Sequence, residues 1–454
     1  MLKKPFYFFL FIIIYPLSIM AQKNYTALLD KYMEGYNMAH DFSGVVFIAK
    51  NGKEIYQKAF GEANREWKIS NTVDTRFQIA SVTKQFTAVA ILKLAEQGKL
   101  QMDDKVSKFF PGYPKGDSIT IHMLLNHTSG IYNYLENPAL DELNPNISIK
   151  QLKDSIINLF KNKPFDFSPG TFWRYSNSGY VLLGYIIEQV SGETYRDYIY
   201  KNLLLPAAMM NTDLYRADSI IPFHSTGYIK TPQGWKPKDI IAINAAFSAG
   251  GLFSTVGDLS KWCDALYKGK IINKESLSKM NQPNAGDRGY GYGVFVDSFF
   301  NRRVIFHSGS LTGFTSLLMH YPVDGIRIII LTNRNTNIDF LPRGLAAILF
   351  DQNVIPPYKH IPIKIDPSIL KRYVGKFVGK SIPFPLNIIN KNNKLYLQLG
   401  TDMELVPESE NKFYISDQDV EIAIEFELNY RKEVVAVSFI ESGVKMKVKK
   451  TIDN

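Results

Sequence analysis

The sequence predicts an α/β chain of the α+β type: an antiparallel sheet flanked by helices with an all-helical subregion, followed by a small all-β barrel domain. Three observations carry this. β-rich runs stand at both ends of residues 43–332 with helical pattern between them, so one antiparallel sheet has to join the two ends. An aperiodic stretch at 351–367, holding Pro356, Pro357, Pro362 and Pro367, then breaks the pattern and reads as a linker. From about residue 370 the texture changes to short alternating segments separated by turn residues, the spacing of a small barrel or sandwich.

Each element has its own signal. Residues 43–49 and 54–60 flank Lys50-Asn51-Gly52-Lys53, which predicts a hairpin on an Asn-Gly turn. Residues 81–97 read as a helix, apolar almost all round from Phe86 to Leu92 and therefore buried, with Gly98 as its stop. Further helices are expected at 120–126, 150–161, 179–190, 194–204 and 257–267. A β-meander follows over 302–307, 313–321 and 326–332, and a helix at 340–350 closes the region. In the last segment, strands are expected at 394–399, 412–415, 420–426, 434–440 and 444–449. The expected division is a leader at 1–21, a main domain at 22–355, a linker at 356–369 and a small β domain at 370–454.

At 454 residues the chain exceeds what one hydrophobic core usually fills, roughly 250–300 residues. Its 45% hydrophobic and 21% charged residues exclude a disordered or fibrous chain. A single cysteine, Cys263, excludes an intrachain disulfide and a Cys-rich metal site, and is read as core filler. The net charge of +10 is spread without a block of like sign and without a nucleic-acid-binding module, so no nucleic-acid partner is expected. Lys3 and Lys4, the apolar run 6–15 and the small Ala21 predict a cleaved secretory leader, with an uncleaved anchor as the alternative, and a secreted or periplasmic protein. The apolar run is shorter than the ~20 residues of a membrane span, and no span is expected in the mature chain.

Three short patterns carry chemistry. In Ser81-Val82-Thr83-Lys84, positions i and i+3 share a helix face, so the Lys84 amine can reach the Ser81 hydroxyl and activate it. The pattern alone is unspecific, since it recurs from Ser276 and Ser442, but only Ser81 opens a buried helix directly after a β-rich run. Alone, Ser81 is equally consistent with a helix cap. Tyr175-Ser176-Asn177 follows a Pro-Gly turn and enters a helix; a tyrosine there can act as general base if cations lower its pKa, and Asn177 can orient a substrate amide. His307-Ser308-Gly309-Ser310 ends a strand. Gly309 lets a substrate backbone lie against that edge, and the Ser310 N–H can complete an oxyanion hole.

Taken in order, these elements resemble the serine β-lactamase and penicillin-recognising enzymes, whose signature is Ser-x-x-Lys, a middle Tyr-x-Asn and a Lys-Thr-Gly-type strand. The resemblance is to the class C branch, which also holds D-aminopeptidases, D,D-carboxypeptidases and carboxylesterases. It extends through 122–130 (HMLLNHTSG), 168–184 (SPGTFWRYSNSGYVLLG) and 249–255 (AGGLFST), and covers about residues 25–350. Residues 370–454 resemble the lipocalin-like β domain often appended to such hydrolases.

The resemblance implies Ser81 as acylated nucleophile, Lys84 assisting its deprotonation and Tyr175 as general base and acid. Asn177 would position the substrate, and the N–H groups of Ser81 and Ser310 would form the oxyanion hole. His307 stands where the penicillin-binding pattern has lysine, and a mostly neutral histidine offers no permanent cation to a carboxylate. That departure favours the aminopeptidase and esterase branches. His122 and His127 are read as structural. No metal and no cofactor are expected. The function so implied is an exported serine hydrolase cleaving a small amide or ester, or a peptidoglycan-derived substrate. The alternatives are a β-lactamase or D,D-carboxypeptidase, and a weakly catalytic binder of penicillin or wall fragments.

Overall fold

A computed structural model describes residues 24–140, 149–216, 218–237, 241–283, 289–336, 338–379, 381–382, 384–416 and 421–450. The expected leader, 1–21, lies outside the described residues.

A first helix, α1 (Tyr25–His40), precedes the hairpin β1 (Gly44–Lys50) and β2 (Lys53–Phe60). The turn between them holds Asn51 and Gly52 at φ +52° and +77°, the left-handed pair that an Asn-Gly turn supplies at little steric cost. Helix α2 (Thr83–Glu96) follows, then α3 (Asn177–Ser191) and α4 (Val256–Tyr267). The chain returns through β3 (Phe295–Phe299), β4 (Arg302–Leu311), β5 (Phe314–Tyr321) and β6 (Ile326–Thr332), and ends this region with α5 (Leu341–Leu349). These strands form one six-stranded sheet in the order β3-β4-β5-β6-β1-β2. β1 pairs antiparallel with β6, Gly44 opposite Thr332, so the sheet does join the two ends of the region as the sequence predicts.

Strand alternation gives this sheet two apolar faces. Val45 and Phe47 of β1, with Ile329 and Leu331 of β6, pack into the core that holds α2, α3 and α4. Val46 and Ile48, with Ile328 and Ile330, face the opposite way into a second core with Leu29, Tyr32 and Met33 of α1 and Leu341 and Leu345 of α5. Because both faces are covered, β6 is buried at every position. Helix α2 is covered on nearly all sides, as its unbroken apolar run requires: Phe86 is fully buried and stacks on Trp262 of α4 at 4.2 Å between centroids.

The last strands are β7 (Gly375–Val378), β8 (Leu386–Lys391), β9 (Lys394–Leu399), β10 (Thr401–Pro407), β11 (Lys412–Ile415), β12 (Ile422–Leu428), β13 (Val434–Glu441) and β14 (Val444–Lys450). They form a closed up-and-down barrel in which β7 pairs with β14. Phe377, Phe413 and Phe426 fill its interior together with Tyr373, which arrives from the short helical turn Pro367–Tyr373. The sequence reading finds five of the eight strands and misses β7, β8 and β10.

Replacing Phe86 by alanine removes a large side chain from a fully buried stack. It should destabilise the chain by about 3–5 kcal/mol, read as a lowered denaturation midpoint.

Candidate active site

The Ser81 turn is built by its backbone. Strand Phe77–Gln78 pairs with Leu252–Ser254, and the Ile79 N–H donates to the Leu252 carbonyl at 3.0 Å. Ala80 then adopts φ +45°, a left-handed conformation costly for a residue with a Cβ. A single 3-10 turn, Ala80–Val82, leads into α2 at Thr83, two residues later than the sequence predicts. Ser81 is thereby lifted, half-buried, at the N-terminal end of a buried helix.

β4 closes against this turn at Gly309. A Cβ there would stand 2.4 Å from the Ile79 carbonyl oxygen, 2.4 Å from Ser316 Oγ and 2.9 Å from the Ser81 nitrogen. No side chain fits; glycine is what allows the strand to approach. β3 pairs with β4 only as far as Phe306, so among the described residues no strand pairs with the edge of β4 carrying 307–311 on that side. Ser308 and Ser310 are exposed along it while His307 and Gly309 point inward.

Lys84 is fully buried, and its Nζ lies 3.0 Å from Ser81 Oγ, 2.7 Å from Asn177 Oδ1 and 2.7 Å from the Ala249 carbonyl oxygen. Burial pushes its pKa well below the ordinary lysine value. Asn177 Oδ1 and the Ala249 oxygen can only accept, so they take two N–H bonds. What faces Ser81 is then a proton in the ammonium and a lone pair in the neutral amine.

Tyr175 also comes to this point, its ring centroid 4.9 Å from Lys84 Nζ. Its hydroxyl is shut from solvent and makes no hydrogen bond of ordinary geometry. The condition that cations lower its pKa is not met: burial raises it and outweighs the opposing influence of the nearby Ser81 hydroxyl. Tyr175 is therefore held as a neutral phenol.

His307 is buried. Its Nδ1 donates to the Ser308 carbonyl at 2.6 Å, which leaves Nε2 to accept from the Tyr290 hydroxyl at 2.9 Å. Burial first, and then the positive charge of Lys84, push its pKa down to about 3. Its ring is thus neutral and turned inward, not displayed to a ligand. His127 Nδ1 accepts the Ser176 N–H at 3.2 Å, and its ring lies 4.3 Å from that of Tyr175, so it supports the tyrosine loop rather than the Ser81 turn. His122 bonds to Tyr292 and Asn126, away from the serine. Cys263 is buried, as expected of core filler. Among the described residues no group of three or more His, Cys, Asp and Glu stands together to hold a metal ion.

The structure therefore brings Ser81, Lys84, Tyr175, Asn177, Gly309 and Ser310 to one place. A family model described as Beta-lactamase matches residues 26–352. The chain belongs to the beta-lactamase family. It is similar to Penicillin-binding protein 4* of Bacillus subtilis (strain 168), 31% identical over 440 residues, 91% of this chain and 95% of the relative. An octameric penicillin-binding protein homologue from Pyrococcus abyssi superposes with a TM-score of 0.66 at 28% identity, covering 93% of this chain and 99% of that one. A D-stereospecific amidohydrolase from Streptomyces sp. does so at 0.58 and 27%, covering 67% and 94%. Family and neighbours together make the chain a serine hydrolase of the beta-lactamase type.

Sequence reasoning overlooked two of the groups around the amine. The Ala249 carbonyl is backbone and has no signature of its own. Asn133, whose side-chain oxygen accepts from both the backbone nitrogen and the side-chain amide of Asn177, lies outside every motif quoted above.

Gly309→Ala should displace the Ser81 N–H and the strand edge beside it. Turnover should fall by about 10²-fold or more, as for loss of an oxyanion donor, with folding retained by circular dichroism.

Proposed function

We propose that the protein hydrolyses small amides or esters through an acyl-enzyme on Ser81. The observation that carries the reading is the Lys84 amine 3.0 Å from Ser81 Oγ with two acceptors holding its other bonds. In the neutral form its lone pair takes the Ser81 proton as Oγ attacks the substrate carbonyl carbon. The oxyanion that forms is stabilised by the N–H groups of Ser81 and Ser310. Collapse of the tetrahedral intermediate breaks the bond to the leaving group. The Tyr175 hydroxyl protonates that group, and the Lys84 ammonium returns a proton to the phenol. Water then attacks the acyl-enzyme by the same path in reverse, giving the acid and free Ser81.

The substrate class follows from what the site offers. A neutral, inward-turned His307 supplies no cation to a carboxylate, which favours neutral amides and esters over carboxylated β-lactams. Likeness to a D-stereospecific amidohydrolase supports a D-configured amide. Likeness to a penicillin-binding protein favours the second reading, turnover or capture of penicillin-like or wall-derived compounds. Hydrolysis of p-nitrophenyl acetate set against nitrocefin separates the two. Lys3, Lys4, the apolar run 6–15 and Ala21 support an exported enzyme. Among the described residues no helix is long and apolar enough to cross a membrane.

A fluorophosphonate should label the wild-type protein and leave Ser81→Ala unlabelled, with turnover reduced by roughly 10⁴-fold or more. Labelling that persists in Ser81→Ala overturns the assignment.

Lys84 has to be neutral to act as base, so kcat/KM should rise with pH through its pKa. Because burial lowers that pKa from 10.5, the acid limb should lie well below 10.5. Lys84→Arg keeps a permanent cation there and should cost about 10²-fold or more at every pH.

A further inference from the structure

The arrangement around Lys84 works only if the side-chain amide of Asn177 presents its oxygen to the amine. Turned over, it would present an NH2 group, which would compete with Ser81 for the lone pair. Within Asn177 itself nothing decides between these orientations, since the two ends of an amide have nearly the same shape.

Asn133 decides it. The backbone N–H of Asn177 is a donor that cannot be turned over, and it points at the Asn133 side chain at 3.2 Å. The Asn133 atom there must therefore be the acceptor, Oδ1. That same Oδ1 lies 3.3 Å from the near end of the Asn177 side chain, which must then be the donor, Nδ2. The far end of Asn177, 2.7 Å from Lys84 Nζ, is left as Oδ1. One backbone N–H thus sets two successive amides. We infer that Asn133 is a positioning residue for the reaction, holding the Asn177 amide so that an acceptor, not a donor, faces Lys84.

The titratable groups beside the amine are the Tyr175 and Tyr180 phenols and the His127 and His307 imidazoles, all held neutral by burial. A carboxylate introduced at Asn133 would add a negative charge to this set.

The inference rests on the Ser81 acylation reading, and the test separates the two. The rate of fluorophosphonate labelling is measured across pH for wild type, Asn133→Ala and Asn133→Asp, with kcat and KM on p-nitrophenyl acetate. Asn133→Ala frees the Asn177 amide and should slow labelling by about tenfold or more, with the loss in kcat and little change in KM. Asn133→Asp still accepts both Asn177 bonds and should recover most of the labelling at alkaline pH. Its charge favours the Lys84 ammonium, so its acid limb should move up by about one pH unit or more. A purely structural asparagine would lower the folded fraction and leave kcat and the labelling rate of the folded Asn133→Ala protein near those of wild type. Labelling of Asn133→Ala within about twofold of wild type (a difference of less than one hydrogen bond), or an unmoved limb in Asn133→Asp, overturns the inference. Should Asn133→Ala fail to fold by circular dichroism, the near-isosteric Asn133→Leu, which also cannot accept the Asn177 bonds, is read in its place by the same labelling rate and kcat. An unlabelled wild type would defeat the Ser81 reading instead.

Discussion

A lysine side chain with no exposure to water is the constraint around which the catalytic half of this protein is arranged. Burying an ammonium without compensation is prohibitively costly, and a buried lysine is driven towards its neutral form. The fold meets that constraint with acceptors from three separate parts of the chain: the Ser81 hydroxyl, the Asn177 amide and the Ala249 carbonyl. Each is presented by a specific local structure. Ser81 needs the left-handed Ala80 before it. Asn177 is the first residue of α3. Ala249 follows an interruption at Phe247, where φ is +39° and the helix Ile241–Gly250 kinks. The strain at these points is local, and the buried core around α2 holds it in place.

The sheet supplies the other half of the geometry. β4 reaches the Ser81 turn only because residue 309 has no side chain, and its free edge exists only because β3 stops pairing at Phe306. The strand alternation that points His307 inward and Ser308 and Ser310 outward then separates two kinds of group. Those that would contact a substrate are small hydroxyls and backbone N–H. The imidazole, which could have carried charge, is turned into the protein and committed to Tyr290 and Ser308. A site with an amine whose charged form is disfavoured by burial, a neutral phenol and neutral imidazoles is suited to creating one negative charge, on the oxyanion, and stabilising it with fixed dipoles.

Much of this was legible in the sequence. The Asn-Gly turn, the all-apolar Phe86–Leu92 run and the 326–332 strand announce their elements because local pattern and tertiary role agree. Ser81 and Lys84 are legible because helical spacing places them on one face. Helix α1 was equally readable, with Leu29, Tyr32, Met33 and Tyr36 spaced to bury one side, yet it went unread. Of the missed barrel strands, β10 lacks a regular alternation, whereas β8 alternates as clearly as β9 and was readable on the same ground. The ionisation of Tyr175 was not legible for a different reason. Desolvation depends on everything packed around a group, whereas a motif shows only its neighbours in the chain. The Ala249 carbonyl escaped because it is backbone, and Asn133 because its side chain meets Asn177 only where the fold brings two distant stretches together.

The same sheet stands between the Ser81 side and the contacts of the barrel. The barrel approaches the main domain through α1 and α5: Tyr32 donates to the Ser442 carbonyl at 3.3 Å, Arg343 pairs with Glu441 at 2.9 Å, and His40 meets Glu421. The intervening chain is fastened along the barrel, with the Ile355 N–H donating to Gly443 and the Ile363 N–H to Pro407. These helices cover one face of the six-stranded sheet, and α2 with Lys84 covers the other. The six-stranded sheet therefore lies between these barrel contacts and Ser81. The contacts brace α1 and α5, which pack on the sheet face opposite to the one that carries Gly309.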